Sequence, residues 1–430
     1  MRVLLLMAAT SALCAQPPID PAGVLVRARN ALAERDKHLP DYTCVQTVDR
    51  FYFERPLKHY PPPTCDEIRA HGSRGLMLES HDRLRLEIKV SHGIEIGSWK
   101  GSRFTSRDIF DLVGGGPYGT GTLGAFISDV FINGGTTYQY LGQQILGGSQ
   151  ALAYNFQVPL SASHYLVRSD PGWTAIPFSG SFWLDRDSLD LRRITEHAIG
   201  LPPETDACEA DTTVDYQVMQ VGSGAFLLPR RSTLHLVMQN ETQTESTAVY
   251  TGCHEYHAES TIRFDVASSG AESKPAAAHL APLPEGLRLI LVLTAPIDTR
   301  TAAAGDILRA KIRKPVRDPK TKAILIPAGA SVQGRIVQMR HWLTRPQRFV
   351  ISILLEKVDI GGVSRPLYAR LYREYRSANI ILPPPGRSPL VGVFPLPTEN
   401  SYYRISRGYE SDWVTVAPPS PQRRVGASNP

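Results

Sequence analysis

The chain has 430 residues, 42% of them hydrophobic and 20% charged, with a formal net charge of +6. That length exceeds what one ordinary hydrophobic core supports, so two domains are the default. Gly and Pro number 34 each, no heptad pattern is present and no later apolar run reaches membrane-spanning length, which argues against a coiled coil or a helical membrane protein and for a mainly β chain.

Residues 1–15 read as a signal peptide. Arg2 supplies the positive charge, Val3 to Ala9 a short apolar core, and Ser11 to Ala15 a small-residue cleavage site before Gln16-Pro17-Pro18. A buried N-terminal strand is the alternative. Cleavage after Ala15 removes Cys14; the large Leu13 argues against lipidation of that cysteine. Cys44, Cys65, Cys208 and Cys253 remain, an even number in an oxidising compartment, so disulfides are expected. The local pairings are Cys44–Cys65 and Cys208–Cys253. Two other connectivities are open, as are free buried thiols.

Asp20 as N-cap and Pro21 at the first helical position start a helix that runs to about Leu39-Pro40, with Val24, Ala28, Ala31 and Leu32 on one face. Strands follow over Thr43 to Phe53 and Leu84 to Val90, the latter turning through Ser91-His92-Gly93 into Ile94 to Ile96. Leu123, Phe126, Ile127, Val130 and Phe131 fall at helical spacing and predict a helix over Leu123 to Phe131 with a wide apolar stripe. From Thr136 to Val266 strands dominate. They include Tyr138 to Leu141, Ala151 to Val158, Tyr165 to Arg168, Phe178 to Leu184 and Leu189 to Ala198. Val214 to Val221, Ala225 to Leu228, Ser232 to Gln239, Thr247 to Gly252 and Glu259 to Val266 complete the series. This is an antiparallel meander and not a βαβ series, which argues against a doubly wound sheet.

Residues 267–286 are rich in Ser, Ala, Pro, Glu and Lys and read as a linker. They divide a domain over 16–266 from strand signals over 287–376. Residues 377–430 read as a Pro-rich, largely extended tail, from which Trp413 to Val416 could pair back as a late strand.

Two segments resemble known families. "SGSFWLDRDSLDLRRI" from Ser179 and "TTVDYQVMQVGSGAFLLPRRS" from Thr212 resemble the strand–turn–strand core of the periplasmic outer-membrane lipoprotein-carrier superfamily. The resemblance implies a curved, incompletely closed half-barrel over roughly Ile19 to Val266, whose concave face holds acyl chains, with helices packed in the opening. It implies that the Leu123–Phe131 stripe packs over the inner face of the sheet containing Trp183. "ILIPAGASVQGRI" from Ile324 and "QRFVISILLEKVDIGG" from Gln347 resemble the outer-membrane core barrel subunit of type IV secretion systems, and imply a small β-barrel. The expected fold is therefore mainly β: an antiparallel curved half-barrel with packed helices, followed by a small β-barrel domain.

No catalytic constellation is announced. Gly119-x-Gly121-x-x-Gly124 matches a dinucleotide fingerprint but lacks the preceding strand and βαβ unit, and reads as a Gly-rich loop entering the helix. Cys253-His254-Glu255-Tyr256-His257 has no further metal ligands nearby, and a disulfide-bonded Cys253 is the simpler reading. Gly-x-Ser-x-Gly is absent. Neither a cofactor nor a metal is expected.

Charge is the remaining signal. Asp298 to Arg376 carries 17 Lys/Arg against 6 Asp/Glu, about +11, leaving about −5 for the rest of the +6 chain. Arg309, Lys311, Arg313, Lys314, Arg317, Lys320 and Lys322 crowd one hairpin-like segment, which suits an anionic surface such as phospholipid head groups, lipopolysaccharide or nucleic acid; a solvated loop that aids solubility is the alternative. Export and the lack of a recognition helix argue against nucleic acid. The expected protein is a non-enzymatic, exported periplasmic or outer-membrane-associated protein with no transmembrane segment in its mature form. Its half-barrel would bind a lipid or lipoprotein, with Leu123, Phe126, Ile127, Val130, Phe131 and Trp183 at the site. Its basic domain would dock to an anionic surface or an envelope partner. The alternatives are a structural or assembly protein with a self-filled barrel, and a secreted hydrolase.

Overall fold

Alternating apolar and polar residues carry most of the chain into antiparallel strands. The computed structural model describes residues 20–418, except 58, 62, 92, 105–108, 114–115, 170–171, 257–282 and 373–390. The signal-like segment, the strand expected over Glu259 to Val266 and most of the linker-like stretch lie outside the described residues.

The elements of the first half are α1 (Pro21–His38), β1 (Tyr42–Glu54), α2 (Cys65–His71), β2 (Met77–Ser91), β3 (Ile94–Trp99) and α3 (Ile109–Leu112). Next come α4 (Ala125–Ile127), which widens into a π turn over Ser128–Ile132, then β4 (Thr137–Leu146), β5 (Ser149–Val158), β6 (Leu166–Ser169) and β7 (Gly172–Ala175). Long strands β8 (Phe178–Asp185), β9 (Leu191–Ala198), β10 (Ala207–Val221), β11 (Gly224–Met238) and β12 (Gln243–Glu255) follow. All but β6 and β7 form one antiparallel sheet in the order β3-β2-β1-β12-β11-β10-β9-β8-β5-β4. Within this run of pairings β3 and β4 are the two ends, so the first half is an open half-barrel. The connection between them, residues 100–136, carries α3 and α4.

One end of this sheet is filled by the chain itself. Val24, Ala28 and Leu32 of α1 are buried with Phe126, Val130 and Phe131 against Phe156, Phe178 and Phe182. Phe131 meets the Phe182 ring edge-on at 4.8 Å, and Tyr154 stacks on Phe182 at 5.1 Å. Burying one such side chain contributes about 1.5–3 kcal/mol, and favourable ring geometry adds about 0.5–1.5. Ala31, expected on the apolar face of α1, is exposed. The two strands expected at Ala225 to Leu228 and Ser232 to Gln239 are one strand. Pro229 fits because the register shifts between Asp215/Tyr216 and their partners, a bulge that tolerates a missing N–H.

The disulfides correct the local pairing. Cys44 is bonded to Cys253, and Cys65 to Cys208. β1 and β12 are sheet neighbours, with Thr43 opposite His254, which brings the first pair together. α2 packs its Ile68 with Cys208 and Val237, which brings together the second.

The second half contains β13 (Arg288–Leu293), β14 (Ile297–Asp298), β15 (Ile307–Ile312), β16 (Val316–Arg317), β17 (Ile324–Ile326), β18 (Ser331–Trp342) and β19 (Arg348–Ile360). It ends with β20 (Val363–Pro366), β21 (Ala369–Leu371), β22 (Val391–Pro397), β23 (Arg404–Ile405) and β24 (Glu410–Thr415). Pairing runs β21-β24-β13-β15-β18-β19-β22 around a core that includes Leu289, Ile351, Val358, Leu367 and Trp413. The segment expected as an extended tail thus supplies β22 to β24. Trp413, almost fully buried, is the reason they return: leaving that ring in water would forfeit a large apolar area.

The halves meet along β2. Its Ser80 to Asp82 pair with Arg340 to Trp342 of β18, Arg85 binds Asp306 at 2.5 Å, and Arg335 donates to the Lys100 carbonyl at 2.9 Å. Beside this seam a bidentate Arg50–Asp82 pair, at 2.7 and 2.8 Å, is buried.

A candidate ligand cavity on the concave face

The other end of the half-barrel is not filled. A cavity of about 930 Å³ lies between the inner face of the sheet and the connection that crosses it. That volume falls within the range of about 300–1,000 Å³ typical of small-molecule sites. Strand alternation sets the walls: Val48, Ala210, Leu234 and Ala248 point inward from β1, β10, β11 and β12. Phe126 and Tyr165, stacked at 5.9 Å, separate this space from the filled end. The β6–β7 hairpin covers one side, with Trp173 5.3 Å from Phe110 and Arg168 over the Phe110 ring at 5.7 Å.

The backbone of the connection requires a glycine at Gly121, whose φ of +89° other residues rarely adopt and whose added Cβ would sit 3.2 Å from the Phe126 ring. The Gly-rich motif thus enters a helix, as expected, and also roofs the cavity.

Part of the floor is polar and satisfied. Tyr118 donates to Gln46 at 2.6 Å, Gln46 donates to Tyr250 at 2.9 Å, and Thr122 shares a 2.6 Å hydrogen bond with Tyr250. Burial pushes the Tyr118 and Tyr250 hydroxyls up, so the network is neutral. Glu95 accepts the Leu123 amide at 2.9 Å; desolvation raises its carboxyl, and amide hydrogen bonds from Leu123 and Gly121 partly offset the rise. At the rim, buried Asp129 accepts from the His164 backbone at 2.8 Å and lies 2.7 Å from its Nδ1. Behind it Glu196 is buried with neither carboxylate oxygen hydrogen-bonded; burial, then the charge of Asp129, holds it well above its ordinary range. Asp129, Glu95 and Glu196 were missed in the sequence, where they read as ordinary polar positions.

Of the residues expected at a lipid site, Phe126 lines the cavity. Val130 and Phe131 are buried in the filled end, and Ile127 packs against it. Leu123 is buried beneath the connection in a neighbouring cluster. Trp183 is on the other face. Phe182 and Leu184 point inward, so Trp183 points outward and donates to Gln144 at 2.9 Å.

The seven basic residues are all exposed. Arg309 and Lys311 alternate with buried Leu308, Ala310 and Ile312 and so share the outer face of β15 with Arg313, which pairs with Glu410 at 2.8 Å. Arg317, Lys320 and Lys322 lie on the β16–β17 hairpin, whose turn Asp318 holds by accepting the Lys320 and Thr321 amides.

Cys253 of the Cys-His-Glu-Tyr-His run is bonded to Cys44, so its sulfur is not a thiolate ligand; His257 lies outside the described residues. Among the described residues no helix is long and apolar enough to cross a membrane.

No family model matches the chain, and no curated protein matches it. Among solved structures, the chain is similar to a domain named for outer membrane lipoprotein sorting from Vibrio parahaemolyticus, at 10% identity over 53% of this chain and 89% of that one. It is also similar to a LolA superfamily protein from Nitrosomonas europaea, at 9% identity over 54% and 94%. A DUF1329 family protein from Desulfovibrio piger matches at 8% identity over 55% and 94%. The TM-score is 0.25 in each case.

Proposed function

We propose that the protein is a non-enzymatic, exported envelope protein whose half-barrel holds the acyl chain of a lipid or lipoprotein. The observation that carries this reading is the cavity of about 930 Å³, walled by Val48, Phe126, Leu234 and Ala248 and floored by a neutral, self-satisfied hydroxyl network. Such a site binds by desolvating an apolar chain and offers few polar anchors. Two disulfides support an oxidising compartment. The outward-facing Arg309 and Lys311 support docking of the second half to an anionic membrane surface or an envelope partner.

Uptake of a fluorescent fatty acid tests the proposal. Wild-type protein should bind it, and Phe126→Asp should abolish binding. Ala248→Phe, which fills the cavity from β12 without adding charge, should weaken it while the far-ultraviolet circular dichroism stays unchanged. The filled end of the sheet, where Phe131 meets Phe182, favours a second reading, a purely structural protein. Wild-type protein that takes up no fatty acid, or variants that bind as well as wild type, would establish that reading instead.

A further inference from the structure

The convex face of the half-barrel carries a cluster separate from the cavity. Asp211 on β10 is directly opposite His197 on β9 and His235 on β11. Directly opposed residues share a face, and Glu209, two residues along β10, joins them. Ala210 and Thr212 point the other way, into the cavity, so the four side chains stand on the outer surface. His197 Nδ1 lies 2.6 Å from Asp211, and His235 Nδ1 lies 3.9 Å from Glu209. Donor atoms of Glu209, Asp211 and His235 all fall within 4.8 Å of one another.

Gln243 sets the orientation of the His235 ring. Gln243, almost fully buried, donates its amide nitrogen to the Gly72 carbonyl at 3.4 Å, which turns its oxygen toward His235 Nε2, also at 3.4 Å. With that oxygen at Nε2, Nδ1 is the ring nitrogen that faces the Glu209 carboxylate, and a second carboxylate, Asp211, adjoins them. One ring nitrogen and two carboxylates thus converge where a cation would be held by all three. An acceptor behind the second nitrogen of a ligating imidazole is also the usual outer shell of a protein metal site.

We propose that Glu209, Asp211 and His235 form a binding site for a divalent transition metal, with His197, hydrogen-bonded to Asp211, and Gln243 as positioning residues. An imidazole and two carboxylates, with water completing the shell, suit Zn²⁺, and neither the oxygen-only preference of Ca²⁺ and Mg²⁺ nor thiolate chemistry. Zn–N and Zn–O distances of about 2.0–2.2 Å place tetrahedral ligand atoms a little over 3 Å apart, so side-chain rotations would draw together donor atoms that lie within 4.8 Å of one another.

Calorimetric titration of the oxidised, EDTA-treated full chain with Zn²⁺ should show one site, and Co²⁺ should give the visible bands of a tetrahedral nitrogen–oxygen set. His235→Gln and Asp211→Asn should each weaken Zn²⁺ binding by about tenfold or more. Gln243→Leu, which removes the outer acceptor together with the hydrogen bond to Gly72, should cost about 10–100-fold. His254→Gln, outside the cluster, should leave affinity unchanged. Because a variant could fail to fold, Zn²⁺-dependent imidazole shifts are also read on wild-type protein by NMR; they should be confined to His197 and His235. Absence of Zn²⁺ binding, retention of full affinity in the Asp211→Asn/His235→Gln double variant, or shifts at other histidines would overturn the proposal.

Discussion

Removing the Cys65–Cys208 bridge should destabilise the protein by an amount that its long sequence span sets. The two cysteines are 143 residues apart, and a loop of that size corresponds to about 5 kcal/mol of denatured-state entropy. A local Cys44–Cys65 bridge would enclose so few residues that the same relation gives only about 3 kcal/mol. The bridges are nested, so each closes a shorter effective loop when the other is already closed: removing Cys65–Cys208 while Cys44–Cys253 stays closed costs about 4 kcal/mol, and the converse is similar. Against a typical stability of about 5–15 kcal/mol, either loss is large. The assay is urea denaturation of Cys65→Ser/Cys208→Ser beside wild type, with peptide mapping of the unreduced protein. A loss below about 1 kcal/mol would refute the entropic argument, and recovery of a Cys44–Cys65 peptide would refute the connectivity.

Other outcomes follow from the seam and the charged face. His81 and His341 face each other across β2 and β18, with Nε2 and Nδ1 3.1 Å apart; burial, then the charge of His81, lowers His341 to about 4. Burial also lowers His81, with Arg83 acting the same way and Asp49 and Asp82 opposing it. The folded values lie below the unfolded value of about 6.5, so the stabilisation is complete above that pH and is lost as pH falls toward 4. The stability difference between wild type and His341→Phe, which keeps the stack on Phe349, should therefore shift between pH 7 and 4.5; a constant difference would exclude the pair as its source. A protease cut within 267–282 should leave both halves co-eluting on gel filtration, because β2–β18 pairing and Arg85–Asp306 hold them together; separate elution of folded fragments would make them independent domains. Arg309→Glu/Lys311→Glu/Lys314→Glu should lose binding to anionic vesicles at about 0.15 M salt, where each basic residue contributes on the order of 1 kcal/mol; equal binding to neutral vesicles would dismiss the charge argument.

Local periodicity was legible in the residues. Two-residue alternation in β1, β2 and β8, Asp20-Pro21 before α1, and the Phe126–Phe131 stripe all have short-range causes in backbone geometry and side-chain direction. The outward position of Trp183 was legible too, since alternation with Phe182 and Leu184 sets it, but its size drew the assignment inward. The presence of disulfides followed from an even cysteine count. Their partners did not, because closing a long loop costs only logarithmically more than closing a short one, so burial across the whole chain chooses the neighbours. That choice seats β12 beside β1, joining Cys44 to Cys253, and returns β24 to β13 so that Trp413 is buried. It also leaves one end of the sheet filled and the other open. The His197–Asp211–His235 row has the same origin: three strands distant in sequence supply it, and only their register makes it a site.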